Sequence, residues 1–236
     1  MTMSRLTHHI SHQFDRELED IRSKVLAMGG LVEEHIHKVL ECFAKGDFDE
    51  AEYVAVNDFK VNALEVEIDD DCTEILLRRQ PAATDLRLVL SVSKTITDLE
   101  RIGDEAEKIA RLVLNLRGSG GISPYYLGML SMGHHVRRMV RAALDAFARM
   151  DSESAFKIAQ EDREIDAETD AIMRYLITYM MEDPRTISAS IDLVFVAKAI
   201  ERVGDHAKNL AEQVIYIVKG ADVRHNTPEA VENIIK

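Results

Sequence analysis

The sequence has few of the residues that interrupt helices or cross-link secreted proteins. Its 236 residues include only 4 Pro, 11 Gly and 2 Cys, and no Trp. Scarce Pro and Gly favour long helices, because both residues destabilise a helix interior. Cys42 and Cys72 lie at apolar positions of different predicted helices without CxxC spacing, so we expect buried, reduced thiols. No run approaches the roughly 18 apolar residues that a membrane span needs.

Positive charge is scarce as well. Lys and Arg total 29 against 42 Asp and Glu, which gives a net charge of -13. Such a surface repels nucleic-acid phosphates and anionic lipid, so we expect no direct nucleic-acid binding and no membrane insertion. There is no glycine-rich phosphate loop to bind a nucleotide. The opening segment lacks the apolar core of a secretion signal, and we therefore expect a cytoplasmic protein.

What the chain does contain is an internal repeat. A shift of 104 residues places Met28–Ala51 on Met132–Ala155, with Met, Gly and Phe positions matching. Past a Pro-bearing loop the shift becomes 101, and Glu100-Arg-Ile-Gly-Asp104 falls on Glu201-Arg-Val-Gly-Asp205. A length change confined to such a loop is what a duplicated unit should show.

Apolar residues in each unit recur at steps of three and four, and no alternating strand pattern of useful length is present. This predicts an all-α fold made of two tandem, sequence-related three-helix bundles. The predicted helices cover about residues 7–45, 47–79 and 83–117, then 124–149, 153–182 and 187–219. The predicted domains are residues 1–118 and 123–220, separated by a GSGG linker and followed by a tail, 221–236, with one short helix.

Three local signals support these boundaries. Gly46 is placed to end the first helix as a C′ glycine. Asp47 with Glu50 three residues later has the spacing of a capping box. Ser123 followed by Pro124 predicts the start of the second unit, as an N-cap with Pro at the first helical position.

The repeated third helix carries paired acids on its outer face. Glu100 and Asp104 are four residues apart and point away from the apolar seam, and Glu201 and Asp205 repeat the arrangement. Interior glycines, Gly103 and Gly204, lie between them and predict close approach by another helix. The second helices carry matching polar lines, which are Asp58, Asn62, Glu65 and Asp69 in one unit and Asp162, Asp166 and Thr169 in the other.

If these lines adjoin, several carboxylates lie together and need cations or raised pKa values, since two charges 4 Å apart repel by about 4 kcal/mol at an effective dielectric near 20. Carboxylates suit Mg²⁺, Mn²⁺ or iron. The candidate metal ligands are Asp58, Glu65, Glu100, Asp104, Asp162, Asp166, Glu201 and Asp205.

Two other interpretations use the same residues. The acidic stripes could be solvated helix faces that bind no ion, or they could form a carboxylate-bridged di-metal enzyme with a hydrolytic or redox centre. A di-iron bundle needs two Glu-x-x-His pairs, and only Glu34 with His37 is present. The histidines near the start, His8, His9 and His12, fit a polar helix start better than a metal site.

The segments RRQPAATDLRLVLSVSKTITDLERIGDEAEKIA and YMMEDPRTISASIDLVFVAKAIERVGDHAKNLAE, with MGG in the first helix, closely resemble the PhoU family of bacterial phosphate-signalling regulators. The resemblance covers essentially the whole chain. It implies two similar three-helix bundles with multinuclear metal clusters on their surfaces, held by E/D-x-x-x-D motifs. Those motifs correspond to Glu100/Asp104, Glu201/Asp205 and Asp162/Asp166. Asn62 replaces the acid expected beside Asp58, which weakens the first-unit site or leaves it relying on Glu65 and Asp69.

The resemblance also implies a role. Proteins of this family repress the phosphate-starvation response when phosphate is plentiful. They are thought to link the ATP-binding subunit of the high-affinity phosphate transporter to a membrane histidine kinase. We therefore expect a non-enzymatic adaptor that forms a homodimer and binds iron, zinc, manganese, magnesium or nickel.

Overall fold

A computed structural model describes residues 12–45, 48–117 and 125–236, and throughout these ranges every regular element is helical. The all-α prediction is confirmed. The α-helices are α1 (His12–Lys45), α2 (Asp49–Asn57), α3 (Phe59–Arg79), α4 (Ala83–Asn115), α5 (Tyr125–Arg149), α6 (Ser152–Glu182), α7 (Ile187–Lys219) and α8 (Pro228–Ile235), with a 3₁₀ turn at Pro184–Thr186. Within the described ranges, no helix has the length and apolar character needed to cross a bilayer.

Each unit packs three helical segments around an apolar seam. In α4 the seam runs through Leu88, Val92, Leu99 and Ile102, all buried at the predicted steps of three and four. The second unit repeats this with α5, α6 and α7. Cys42 and Cys72 are buried free thiols in α1 and α3, as predicted.

The second predicted helix of the first unit is interrupted, which corrects the prediction of one helix over about residues 47–79. The structure divides it into α2 and α3 at Asp58. There the chain tightens, because the Asp58 carbonyl accepts hydrogen bonds from both Val61 and Asn62, at 2.8 and 3.3 Å. The matching residue of the second unit, Asp162, lies inside an unbroken α6.

The two units share one hydrophobic core, with α4 against α7 as their most extensive contact and α1 against α5 as a second. The α1–α5 contact is reciprocal. Gly29 packs against Leu144 and Gly133 packs against Leu40, so closely that a β-carbon at either glycine would overlap the leucine. The repeat pairs these residues with each other, so the units meet as two copies do in a symmetric dimer.

The ends of the second-unit helices follow local chemistry. Asp151 caps α6 by accepting hydrogen bonds from the backbone of Glu153 and Ser154. Gly220 ends α7 in the left-handed conformation, with φ of 73°. The tail forms one short helix, α8, as predicted. The signals at Gly46, Asp47, the GSGG linker and Ser123-Pro124 lie outside the described residues.

Candidate metal centres

In the first unit, five carboxylates lie where α2, α3 and α4 meet. We call Asp58, Glu65, Glu100, Asp104 and Glu107 the first acidic cluster. Its centre is a trio, Asp58, Asp104 and Glu107, each offering an oxygen within 4.8 Å of the other two. Within the described part of the chain, this trio is the closest acidic grouping of the kind that could hold a metal ion.

Gly103 brings Asp58 into this position. A β-carbon at Gly103 would lie 2.9 Å from Asp58 Oδ1 and 3.2 Å from Val61 Cγ1. Only a glycine lets α4 approach the α2–α3 junction so closely. At Gly204 the neighbours are Ile165 and Val136, the nearer at 3.3 Å. The prediction that both glycines mark close approaches is confirmed.

The surroundings of the Asp58 carboxylate disfavour its negative charge. The residue is 5% exposed. Burial, followed by the negative charges of Glu107 and Asp104, raises the pKa of Asp58 to about 6, against a smaller lowering by a hydrogen bond with Asn62. Its Oδ1 atom is buried and accepts no hydrogen bond. A buried, unpaired carboxylate oxygen that faces two further carboxylates is a site where a bound cation would be stabilising.

The other two members of the first acidic cluster flank the trio. Burial and the charges of Asp104, Glu65 and Asp58 raise the pKa of Glu100, and Arg101 opposes the rise. Arg101 lies 3.4 Å from both Glu100 and Asp104. Glu65 accepts a weak hydrogen bond from Thr97, at 3.4 Å. Arg101 offsets part of the negative charge of Glu100 and Asp104, and none of these contacts supplies a donor to Asp58 Oδ1.

In the second unit four carboxylates come together from α6 and α7. We call Asp162, Asp166, Glu201 and Asp205 the second acidic cluster. Partial burial, with the charges of Asp162 and Glu201, raises the pKa values of Asp166 and Asp205. Asp166 and Asp205 keep exposed surface, whereas Asp162 is 7% exposed.

Cations contact both acidic clusters. In the first, Arg111 pairs with Glu107 and Arg101 pairs with Asp104. The second has two lysines. Lys208 Nζ lies 2.7 Å from Asp162 Oδ2, and Lys198 Nζ lies 2.6 Å from Glu201 Oε2. The repeat aligns Lys208 with Glu107 and Asp162 with Asp58. The lysine therefore bonds directly to the buried aspartate in the second unit. In the first, the buried aspartate faces a glutamate paired with Arg111, and Asp58 Oδ1 itself has no hydrogen-bond partner.

The structure thus places all eight residues predicted as ligands in two clusters, but with a different centre in the first unit. Glu107 was missed from the sequence, although it follows Asp104 by three residues and Glu100 by seven and so shares their stripe. Asp69 accepts a hydrogen bond from Ser93 at 2.7 Å and does not join the trio. Asn62 removes a possible ligand, and Glu107 supplies the third carboxylate instead.

Three histidines contact charged side chains within the fold. His206 contacts Asp98 at 2.8 Å, across the α4–α7 contact, and is not directed at the second acidic cluster. His135 lies between Glu168 and Glu161, at 2.9 and 3.2 Å. His37 lies 3.4 Å from Arg137, while Glu34 pairs with Lys38. His8 and His9 lie outside the described residues.

The oxygen donors of the first acidic cluster fit a hard or borderline cation. Two segments of the chain, residues 25–113 and 129–214, match the PhoU domain. The chain belongs to the PhoU family. Its two repeated units are two copies of the family's domain, and the resemblance found in the sequence is confirmed.

Relatives match over nearly their whole length. The phosphate-specific transport system accessory protein PhoU homolog of Pseudomonas aeruginosa is 49% identical over 232 residues, covering 97% of this chain and 96% of that protein. The PhoU protein of Escherichia coli K12 is 44% identical over 235 residues, covering 100% and 97%. Proteins of the PhoU family are named as accessory or regulatory proteins, and the prediction of a non-enzymatic protein is confirmed.

Solved structures agree in fold. The crystal structure of PhoU from Pseudomonas aeruginosa superposes with a TM-score of 0.86 at 47% identity, covering 89% of this chain and all of that one. The phosphate transport system regulatory protein PhoU from Streptococcus pneumoniae superposes with a TM-score of 0.83 at 30% identity, covering 89% and 99%. The two-unit helical architecture is thus the one these PhoU structures have.

Proposed function

We propose that this protein is a cytoplasmic, non-enzymatic regulator of the phosphate-specific transport system that represses the phosphate-starvation response. In this role it couples the ATP-binding subunit of the phosphate transporter to a sensor histidine kinase. The observation that carries the proposal is the similarity over nearly the whole chain to accessory proteins of that transport system. An all-helical protein with broad exposed helix faces suits docking better than chemistry.

We further propose that metal ions bind at both acidic clusters. In the first, Asp58, Asp104 and Glu107 would hold the ion, with Glu100 and Glu65 at the edge. In the second, the ion would compete with Lys208 for Asp162. Bound metal would supply positive charge that holds α2, α3 and α4 together at one site and α6 and α7 at the other.

The adaptor role is tested by binding assays with purified partners. Immobilised protein should retain the transporter's ATP-binding subunit and, separately, the cytoplasmic part of the kinase. Retention of neither would contradict the proposal. The same samples, run on a light-scattering column, give the mass in solution and test the expected homodimer.

The metal proposal is tested by a double substitution. Asp104→Ala with Asp205→Ala should remove most bound Mn²⁺ or iron while the helical circular dichroism stays unchanged, because each residue belongs to one acidic cluster. Metal content is measured by elemental analysis after dialysis. Unchanged stoichiometry would contradict the metal assignment and favour the interpretation of solvated helix faces.

A further inference from the structure

The end of the α6–α7 hairpin carries an exposed apolar surface. Ile177 and Met181 on α6 and Ile187, Ile191 and Phe195 on α7 are between 42% and 79% exposed, and we call these five residues the hairpin patch. On each helix they follow one another at steps of four, so they share a face. The 3₁₀ turn at Pro184–Thr186 joins the two helices directly at this end. Single exposed apolar residues are ordinary, but a contiguous group marks a binding surface.

The hairpin patch continues the face that holds the second acidic cluster. On α6, Asp170 lies one turn beyond Asp166 in the direction of the patch. On α7, Lys198 lies one turn before Glu201, and its bond to Glu201 raises the pKa of Lys198, with the charges of Asp170 and Asp166 adding to the rise. Asp170 and Lys198, which lie between the second acidic cluster and the hairpin patch along their helices, therefore interact across the hairpin.

The corresponding face of the first unit is less apolar. The repeat places Leu77, Leu86 and Leu90 on Met181, Ile187 and Ile191, but polar residues on the other two positions. The repeat matches Ile177 with Thr73 and Phe195 with Lys94. Nearby, Ser93 donates a hydrogen bond to Asp69 at 2.7 Å, across the α3–α4 hairpin. The first hairpin forms with polar residues at two of the five positions, so packing within a unit does not require Ile177 and Phe195 to be apolar.

The charge around the hairpin patch indicates what covers it. Residues 166–205 include eight acidic and four basic side chains. Three of the basic ones already have acid partners, since Lys198 binds Glu201, Arg202 binds Glu105 and Arg185 binds Asp183. A second copy placed on the patch would bring like charges together, which is unfavourable, whereas a basic surface would be complementary.

We propose that the hairpin patch binds an amphipathic helix of a partner protein, with an apolar face flanked by Lys and Arg. Such helices bind apolar grooves through residues spaced three and four apart. The proposal adds a contact surface to the adaptor function proposed above and rests on that function only in requiring a protein partner. It does not depend on metal.

Two labelled synthetic helices of about 18 residues, roughly five turns each, test the proposal. They have the same Leu/Ile face, flanked by Lys and Arg in one and by Glu in the other. In fluorescence anisotropy the Lys/Arg peptide should bind, and Met181→Gln or Ile191→Gln should weaken it at least about tenfold, as should the Glu flank. Leu77→Gln and Leu90→Gln are matched controls, because the repeat aligns them with Met181 and Ile191 and their exposure is similar, 76% and 42%. Both controls should leave binding unchanged.

Three results of the peptide experiment would overturn the proposal. These are no binding of the Lys/Arg peptide, equal binding of the Glu peptide, and equal weakening by the control substitutions. A dimer in solution that Met181→Gln converts to monomer would also overturn it, because the surface would then be covered by a second copy. Peptide binding is measured without the transporter ATPase or the kinase, so its failure is distinguishable from failure of the adaptor function.

Discussion

Two aligned residues with opposite charges distinguish the acidic clusters. Glu107 lies beside Asp58 in the first unit, and Lys208 lies 2.7 Å from Asp162 in the second. The duplicated framework therefore holds a buried aspartate in two ways. In one, Lys208 contacts the aspartate directly. In the other, arginines pair with the neighbouring acids but the buried Asp58 Oδ1 has no partner, and we propose that an ion binds it.

Glu107→Lys should convert the first acidic cluster to the arrangement of the second. We expect it to lose at least about tenfold in Mn²⁺ affinity at the first site, because a ligand is replaced by a competing cation. The metal-free protein should melt a few degrees higher, since about 1 kcal/mol shifts Tm by about 2–4 °C for a domain of this size. Isothermal titration and thermal melts measure both effects.

Glu74→Lys is the control for that substitution, with the same charge change at an exposed residue of α3 whose partner is Arg78. It should leave Mn²⁺ affinity unchanged. If Glu107→Lys and Glu74→Lys behave alike, Glu107 is not a ligand.

The raised pKa of Asp58 predicts that the metal-free wild type and the Asp58→Asn variant differ in stability by an amount that depends on pH. The pKa of Asp58 is raised from 3.8 to about 6, so the folded state binds the extra proton and loses stability as pH rises between those values. Asp58→Asn removes the charge and should be more stable than the wild type at pH 7.5, by up to about 3 kcal/mol at 1.36 kcal/mol per pKa unit. The difference should shrink as pH falls toward 4.

Denaturant unfolding in the presence of a chelator, at several pH values, measures this difference. Comparing the two proteins at each pH cancels other titrating groups, including His35, whose pKa burial lowers. A stability difference that stays constant with pH would show that the negative charge of Asp58 does not destabilise the folded protein.

At the scale of helices, adjacent glycines on α1 have opposite surroundings. A β-carbon at Gly29 would overlap Leu144, whereas at Gly30 it would meet nothing within 4 Å. Gly29 and its repeat partner Gly133 therefore set the distance between α1 and α5. Gly30 has no such role and weakens its helix.

Gly29→Ala and Gly133→Ala should each destabilise the protein by about 1–3 kcal/mol, the usual effect of overpacking. Gly30→Ala should instead stabilise it by about 0.5–1 kcal/mol, the helix propensity difference. Urea unfolding measures all three. Equal effects of the Gly29 and Gly30 substitutions would show that α1 and α5 can separate without cost.

At the scale of the molecule, the units are joined by more than a linker. Their cores merge along α4 and α7, where Asp98 accepts hydrogen bonds from His206 and Asn209, at 2.8 and 3.0 Å. Arg202 also pairs with the buried Glu105, at 2.7 Å. The two units on either side of the boundary predicted near residues 118–123 therefore share buried surface.

Because the core is continuous, the metal-free protein should unfold in one calorimetric transition, with calorimetric and van't Hoff enthalpies about equal. Asp98→Ala should lower Tm without splitting the transition, because it removes polar contacts and leaves the apolar contact of α4 with α7. Two separate transitions in the wild type would show that the units unfold independently.

The sequence alone determined the local features. Helix periodicity and the end of the last long helix near residue 219 depend on residues close along the chain, and the repeat identified both units at once. The i,i+4 spacing likewise fixed Glu100 with Asp104, and Glu201 with Asp205, on one face of each helix. These features need no knowledge of which helices touch.

Only the tertiary structure decided which helix faces meet and how closely they approach. It showed that Glu107 joins Asp58 while Asp69 turns to Ser93, that the second helix breaks at Asp58, and that the two cores merge. The physical reason is that helix separation depends on side chains from both partners, such as Gly103 beneath Asp58 and Gly29 against Leu144. A periodic pattern gives the direction of each side chain but not the distance to the next helix.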